Sequence, residues 1–350
     1  MSFDLVYKLH RLMENLPQEH KGFSLRCIPS YFDPRDYQYV NLFGLEAQEK
    51  PVAIDYRPQL PPVFDQGQRG TCVACAGTWT VKAYEEIAAD DYPPKGFSAA
   101  FLYSLCKQND GAPDQEGTMP RTAMKMLQKY GVCPEAIMPY STISELPEPE
   151  VPEVSGTALG EASPYKIKTY AQLCSTGDVS RNNLLAAMRQ ALQKEGPFLL
   201  ALLVCENFNP DADYRLPVPD GGVRGGHAVG IAGDLPDQGA LILRNSWGTG
   251  WGNNGYALLP YEWLDFRYEG NWAVFEAWTA TDLPVANRAN TIEIKPGNNY
   301  VIVDGRRVGA DEPIMSGKTA DLTVLLKTLA ENMGYKVEWE GRKAVLKRQN

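Results

Sequence analysis

In the opening "MSFDLVYKLHRLMENLP", the apolar residues Leu5, Leu9, Leu12 and Leu16 recur at helical spacing until Pro17 stops the run. That spacing predicts a helix with one apolar stripe docked on a larger body. The next stretch, "FSLRCIPSYFDPRDYQYV", holds too much Pro and Asp for a regular element. "CVACAGTWTVKAYEEIA" continues as a helix with Ala76, Trp79 and Ala83 on one buried face. Further on, "GGHAVGIAGD" and "LILRNSWGTGWGNNGY" read as apolar strands, with His227 at the start of one and Asn245 at the end of the other. Between helix and strands, "SELPEPEVPEVSGTALGEASP" (144–164) has the Pro and Glu content of a solvated loop.

The pattern changes again near residue 284. "NYVIVDGRRVG" predicts a hairpin about Asp304-Gly305. A helix follows with Leu322, Leu325, Leu326, Leu329 and Met333 on one face, closed by Gly334. "YKVEWEGRKAVLKR" predicts a second hairpin turning near Gly341. Three regions result: an N-terminal arm or prosegment (1–50), a main domain (51–283), and a small β-β-α-β-β unit (284–350).

Composition narrows the function classes. The chain has 350 residues, 44% hydrophobic and 22% charged, which is ordinary for a folded domain pair. A net charge of −9 argues against a nucleic-acid backbone as partner. The charge is uneven: residues 286–350 hold eleven Lys and Arg against eight Asp and Glu, a net of +3, leaving −12 for the rest. No run is long or apolar enough to predict a membrane span, and the first residues lack the form of a signal peptide. Seven cysteines without a secretory signal suggest reduced thiols, and with them a cytoplasmic location.

Two of those cysteines, Cys72 and Cys75, form a Cys-x-x-Cys pair in "RGTCVACAGT". The pair admits three readings: a dithiol redox centre, half of a metal site, or one working thiolate beside an inert neighbour. Structural zinc needs two further ligands, but there is no second Cys-x-x-Cys and His10, His20 and His227 are scattered. No metal or cofactor is therefore expected. The third reading asks for a thiolate stabilised at a helix N-terminus, which Cys72 would be, with Gly70 as a flexible entry and Thr71 as a cap. Acyl transfer also needs oxyanion donors. Gln66 offers its side-chain amide, and the Cys72 N–H offers a second donor. Neighbouring strands would set Asn245 against His227 and fix its ring, with an indole of Trp247 or Trp251 keeping water out.

"DQGQRGTC", "GGHAV" and "NSWGTGWGNNGY" together resemble the papain-like cysteine peptidases, in a bacterial-type subgroup, and "MKMLQKYGVCPEAIMPY" and "ALQKEGPFLLALLV" extend the likeness over about 51–283. The resemblance implies an α+β fold with a helical lobe and a β-barrel-like lobe. It also implies hydrolysis of peptide or protein substrates through a thioester. Gln66 would hold the oxyanion, Cys72 would be the nucleophile, His227 the base and acid, and Asn245 the orienter. Gly117, Thr118, Met119 and Pro120 would form one wall of the substrate cleft, and Gly226 and Trp247 would contact substrate elsewhere. Arg69 stands where better-known members carry a disulfide cysteine, and Val73 replaces the usual aromatic after the nucleophile. Two rivals stay open: an acyltransferase or deamidase on the same triad, and an inactive peptide-binding scaffold. By the same kind of likeness, residues 1–50 would either block the cleft as a prosegment or pack as a permanent belt. The tail resembles the copper amine oxidase N-terminal-like module, a stalk or docking domain for an unknown protein or surface partner. It contains neither His nor Cys, so no copper site is expected there.

Overall fold

The computed structural model describes residues 2–31, 33, 35–46, 50–178, 181–281, 291–294, 300–303, 306–309, 335–340 and 343–348. The chain separates into two compact units, Met1–Asp282 and Leu283–Asn350.

The first unit is built on an antiparallel sheet. Its strands run Thr169–Cys174, Val274–Thr281, Phe198–Cys205, Val223–Leu235, Ala240–Arg244 and Tyr256–Pro260 in spatial order, with Ile54–Asp55 paired to the far end of Val223–Leu235. Phe198–Cys205 explains why its sequence shows no polar alternation: all eight residues are buried. Leu199, Ala201, Leu203 and Cys205 enter one apolar cluster, while Phe198, Leu200, Leu202 and Val204 enter the other. A strand covered on both faces reads as a continuous apolar run. Helices Ala99–Asn109 and Pro120–Lys129 pack in the first cluster, and helix Leu184–Lys194 packs in the second.

The helical run predicted over 72–88 forms in three pieces: Cys72–Ala76, a π-helical turn Gly77–Lys82, and Ala83–Ala88. Ala76 and Ala83 are buried and Trp79 is half-buried, stacked on Phe64. π turns are uncommon and tend to occur near functional sites. This one follows the Cys-x-x-Cys pair directly.

The opening helix spans Ser2–Glu14, with Val6, Leu9 and Met13 as its buried residues among those described, and Leu12 and Leu16 at the flank. The arm behind it is more ordered than its Pro and Asp content suggests. Glu19–His20 and Phe23–Ser24 pair as a small hairpin, and a short helix, Tyr39–Phe43, was not foreseen. Between them the arm runs extended between the two cores: Leu25 is buried in one cluster and Cys27 in the other.

Residues 145–155 of the 144–164 tract form an exposed or half-buried loop, as expected, but the rest of the tract does not. It contains a helix, Gly156–Ala162, capped by the Ser155 side chain, and Ala158 and Ala162 are buried. Arg69 secures its start, donating to the main-chain oxygens of Leu146 and Glu150 at 2.9 Å each. Two charge-assisted bonds thus hold a connection at the position where the resemblance implies a disulfide in other members.

In the second unit, Arg306–Gly309, Tyr300–Val303, Thr291–Ile294, Lys343–Arg348 and Tyr335–Glu340 form a five-stranded antiparallel sheet in that order. Both predicted hairpins are present, in registers Val303↔Arg306 and Glu340↔Lys343. The central strand, Thr291–Ile294, was missed by the sequence reading. The helix expected over 322–333 lies outside the described residues.

Candidate active site

Cys72 opens its helix, fully buried. Thr71 precedes it at the cap position but makes no cap bond; its hydroxyl instead pairs with Tyr140 Oη at 2.6 Å. Tyr140 Oη in turn donates to the main-chain oxygen of Gln66 at 2.8 Å, tying the Gln66 loop to the start of the helix.

His227 lies within Val223–Leu235, and Asn245 immediately follows Ala240–Arg244, the antiparallel neighbour of that strand. The pairing brings His227 Nε2 to 2.7 Å from Asn245 Oδ1. Trp247 covers this bond with its ring 4.7 Å from the imidazole, centroid to centroid. Imidazole Nδ1 has no hydrogen-bond partner. The ring is thus fixed at one nitrogen and free at the other, the state required of a proton acceptor.

Gln66 is buried and its amide is held from both ends. Oε1 accepts from Ser246 Oγ at 2.6 Å, while Nε2 donates to the Arg69 oxygen at 2.9 Å and to the Ser24 oxygen at 3.2 Å. Ser246 was not singled out from the sequence, although it adjoins Asn245. Its contact with Gln66 spans 180 positions, which no local pattern reveals.

Ser24 belongs to the arm, which runs between Gly226 and Trp247 on one side and Thr118 on the other. Cys27 N–H donates to the Gly226 oxygen at 2.9 Å on one wall. On the other wall Ile28 N–H donates to the Thr118 oxygen at 3.0 Å, and Thr118 N–H donates to the Arg26 oxygen at 3.3 Å. Phe23 stacks on Trp247 at 4.6 Å. The close approach needs glycine on both sides: a Cβ on Gly226 would stand 2.2 Å from the Cys27 oxygen, and one on Gly117 2.0 Å from the Arg26 oxygen. Gly117 also has φ +87°, which favours glycine on its own account. Met119 is buried at the cap of helix Pro120–Lys129, and Pro120 is its first residue. A buried pair, Lys107–Asp110, braces this wall: Lys107 Nζ donates to the Gly117 oxygen at 3.0 Å, and Thr118 Oγ1 to Asp110 Oδ2 at 3.1 Å.

Burial under the arm sets the protonation state. It pushes the Cys72 thiol up to about 11, against the opposing pull of main-chain hydrogen bonds from Ala228, Arg26 and Val73. It pushes His227 down to about 4, with the Asn245 bond acting the other way. Burial thus works against the charged form of both groups. Cys75 is raised further by burial beside Thr71. All seven cysteines are free and buried. Among the described residues, no group of three or more His, Cys, Asp or Glu is placed to hold a metal, and no helix is long and apolar enough to cross a membrane.

The papain family cysteine protease model matches residues 50–263, and the chain belongs to that family. It is 28% identical over 284 residues to an uncharacterized peptidase C1-like protein of Acanthamoeba polyphaga mimivirus, covering 75% of this chain and 86% of the relative. A cathepsin B-like protein of Giardia intestinalis is 28% identical over 258 residues, covering 70% and 83%. Among solved structures, xylellain, a cysteine protease from Xylella fastidiosa, superimposes with a TM-score of 0.59 at 26% identity, covering 75% of this chain and 98% of xylellain. The fold is papain-like, α+β and two-lobed, and the protein is a cysteine-type peptidase.

Proposed function

We propose that the peptidase works through Cys72, His227 and Asn245 with Gln66 as oxyanion donor, and that residues 18–28 hold it latent. The observation that carries the reading is the 2.7 Å bond from His227 Nε2 to Asn245, which leaves Nδ1 unpartnered. In an uncovered cleft, Nδ1 takes the Cys72 proton and Sγ attacks the substrate carbonyl carbon. The oxygen gathers charge between Gln66 Nε2 and the Cys72 N–H. Imidazolium then protonates the leaving amine, a thioester remains, and water activated by His227 hydrolyses it to free the acid.

The arm is suited to blocking, since its Arg26 main chain lies against the Cys72 thiol. It also supplies an oxygen, that of Ser24, to the Gln66 amide. The free thiols are in keeping with a reducing compartment, and the likeness to xylellain with a bacterial-type member. For 284–350 the separate five-stranded sheet supports an appended interaction module.

Mass spectrometry of full-length protein after iodoacetamide, alongside hydrolysis of short fluorogenic peptides, tests the assignment. Cys72→Ala abolishes hydrolysis and Cys75→Ala keeps most of it. Equal loss from the two revives the dithiol reading.

A further inference from the structure

Behind the His227–Asn245 pair lies a small cavity. About 10 Å³ of it is open to the centre of a water molecule, which is room for one. Ala76 and Thr80 line it from the helical run, Ala228 and Gly230 from the strand of His227, and Asn245 from the end of the neighbouring strand. Thr80 comes to the cavity on the π-helical turn Gly77–Lys82. Its approach needs glycine opposite: a Cβ on Gly230 would stand 2.4 Å from Thr80 Oγ1 and 2.5 Å from Thr80 Cγ2. Gly230 pairs with Arg244 across the ladder, and Asn245 is the next residue along.

The Asn245 carboxamide is held unevenly. Oδ1 accepts the Ser246 N–H at 2.8 Å and meets His227 Nε2 at 2.7 Å. Nδ2, on a residue only 3% exposed, has no hydrogen-bond partner among the described residues. A buried NH2 group left without an acceptor is costly, and ordered water commonly supplies one. A carboxamide fixed at one end can also swing about its last bond, and the imidazole bonded to it follows.

We propose that this cavity binds one water molecule, which accepts from Asn245 Nδ2 and donates to Thr80 Oγ1, and that Thr80 is thereby a positioning residue for the His227–Asn245 pair. The proposal deepens the mechanism given above and rests on Asn245 as the orienter of His227. A buried water needs two or more polar partners, so deleting the Thr80 hydroxyl loosens the water and, through it, Nδ2.

The test compares Thr80→Val and Thr80→Ser in the full-length protein. Valine keeps the branched shape against Gly230 and deletes the hydroxyl; serine keeps the hydroxyl and deletes the methyl. Thr80→Val lowers kcat for a short fluorogenic peptide by about three- to ten-fold with KM unchanged, the size expected for one lost hydrogen bond. Thr80→Ser keeps kcat near the wild-type value even where its melting temperature falls. A kcat that instead follows the melting temperature through the two variants marks a merely structural role and overturns the proposal. In the Asn245→Ala protein, Thr80→Val has no further effect on kcat, because it acts through the side chain already removed. A loss that persists in that background, as altered opening of the arm would give, also overturns it. Crystal structures that show ordered water give a readout independent of hydrolysis. Wild type carries a water between Asn245 Nδ2 and Thr80 Oγ1, and Thr80→Val loses it. A dry cavity in wild type overturns the proposal whatever the kinetics. Hydrolysis that is absent from wild type, or survives Cys72→Ala, counts against the catalytic assignment instead, and the crystal structures then decide the water site by themselves.

Discussion

Gln66 shows how a single side chain depends on its supports. In the proposed mechanism its Nε2 meets the developing negative charge, and Ser246 holds the far end of the amide at 2.6 Å. Gln66→Ala is expected to lower kcat by about 10² to 10³. Ser246→Ala is expected to cost less and to act on kcat rather than KM, since the donor survives and only its aim is loosened. Steady-state kinetics on one fluorogenic peptide checks both, and equal effects from the two variants would mean that Gln66 is structural. Glu276 makes a different point. Buried, accepting the Ser30 N–H of the arm at 2.9 Å and the Trp278 indole N–H, it is pushed up by desolvation to about 7. The folded form therefore binds its proton more tightly than the unfolded chain. Stability from this group is complete below about pH 4.5, its ordinary value, and is lost as pH rises through about 7. Glu276→Gln should raise the melting temperature relative to wild type at pH 8 and much less at pH 5. An equal shift at both values would show that Glu276 is not the titrating group.

Among the elements, the wall at Gly117–Thr118 rests on the Lys107–Asp110 pair, whose side chains are 2% and 1% exposed. Lys107→Met leaves Asp110 charged and buried, for which losses of about 3–5 kcal/mol are typical. Adding Asp110→Leu should restore most of the melting temperature while leaving Gly117 and Thr118 unbraced, so that KM stays high. Recovery of both quantities would show that the pair does not position the wall. This brace also marks where the sequence stopped being legible. Cys72 and Asn245 could be picked out because each stands at the end of an element with a distinct apolar period, whereas Gln66, in a loop, and His227, inside its strand, were picked out by the motifs "DQGQRGTC" and "GGHAV". Helix 72–88 and both tail hairpins could be read for the first of these reasons. Lys107 and Ser246 could not, since their roles come from partners brought in by the fold. Within the 144–164 tract the loop was legible from its Pro and Glu, but the helix Gly156–Ala162 was not. Its buried Ala158 and Ala162 carry no strong apolar signal.

Across the molecule, the question is whether the arm leaves. A protein starting near Pro51 would lose Leu9, Met13, Leu25, Cys27 and Tyr39 from the two cores, so loss of folding would obscure any gain in activity. The arm is better loosened at its anchor. Leu9 is fully buried in the cluster that also holds Cys72, on a helix whose partners lie in the body. Leu9→Ala removes about 2–5 kcal/mol of buried contact, and only the part of it spent on docking the arm appears as opening. If the arm opens in one piece, alkylation of Cys72 in the full-length protein should accelerate by about ten-fold or more, each factor of ten reflecting about 1.4 kcal/mol of weakened docking. The remaining six cysteines should keep their slow rates. Opening within one chain is first-order, so the rate at saturating iodoacetamide should not change with protein concentration. Peptide hydrolysis should rise by the same factor as alkylation. If Leu9→Ala instead speeds all seven cysteines together, or lowers the melting temperature without exposing Cys72, the arm unfolds only with the body. It would then be a permanent part of the enzyme.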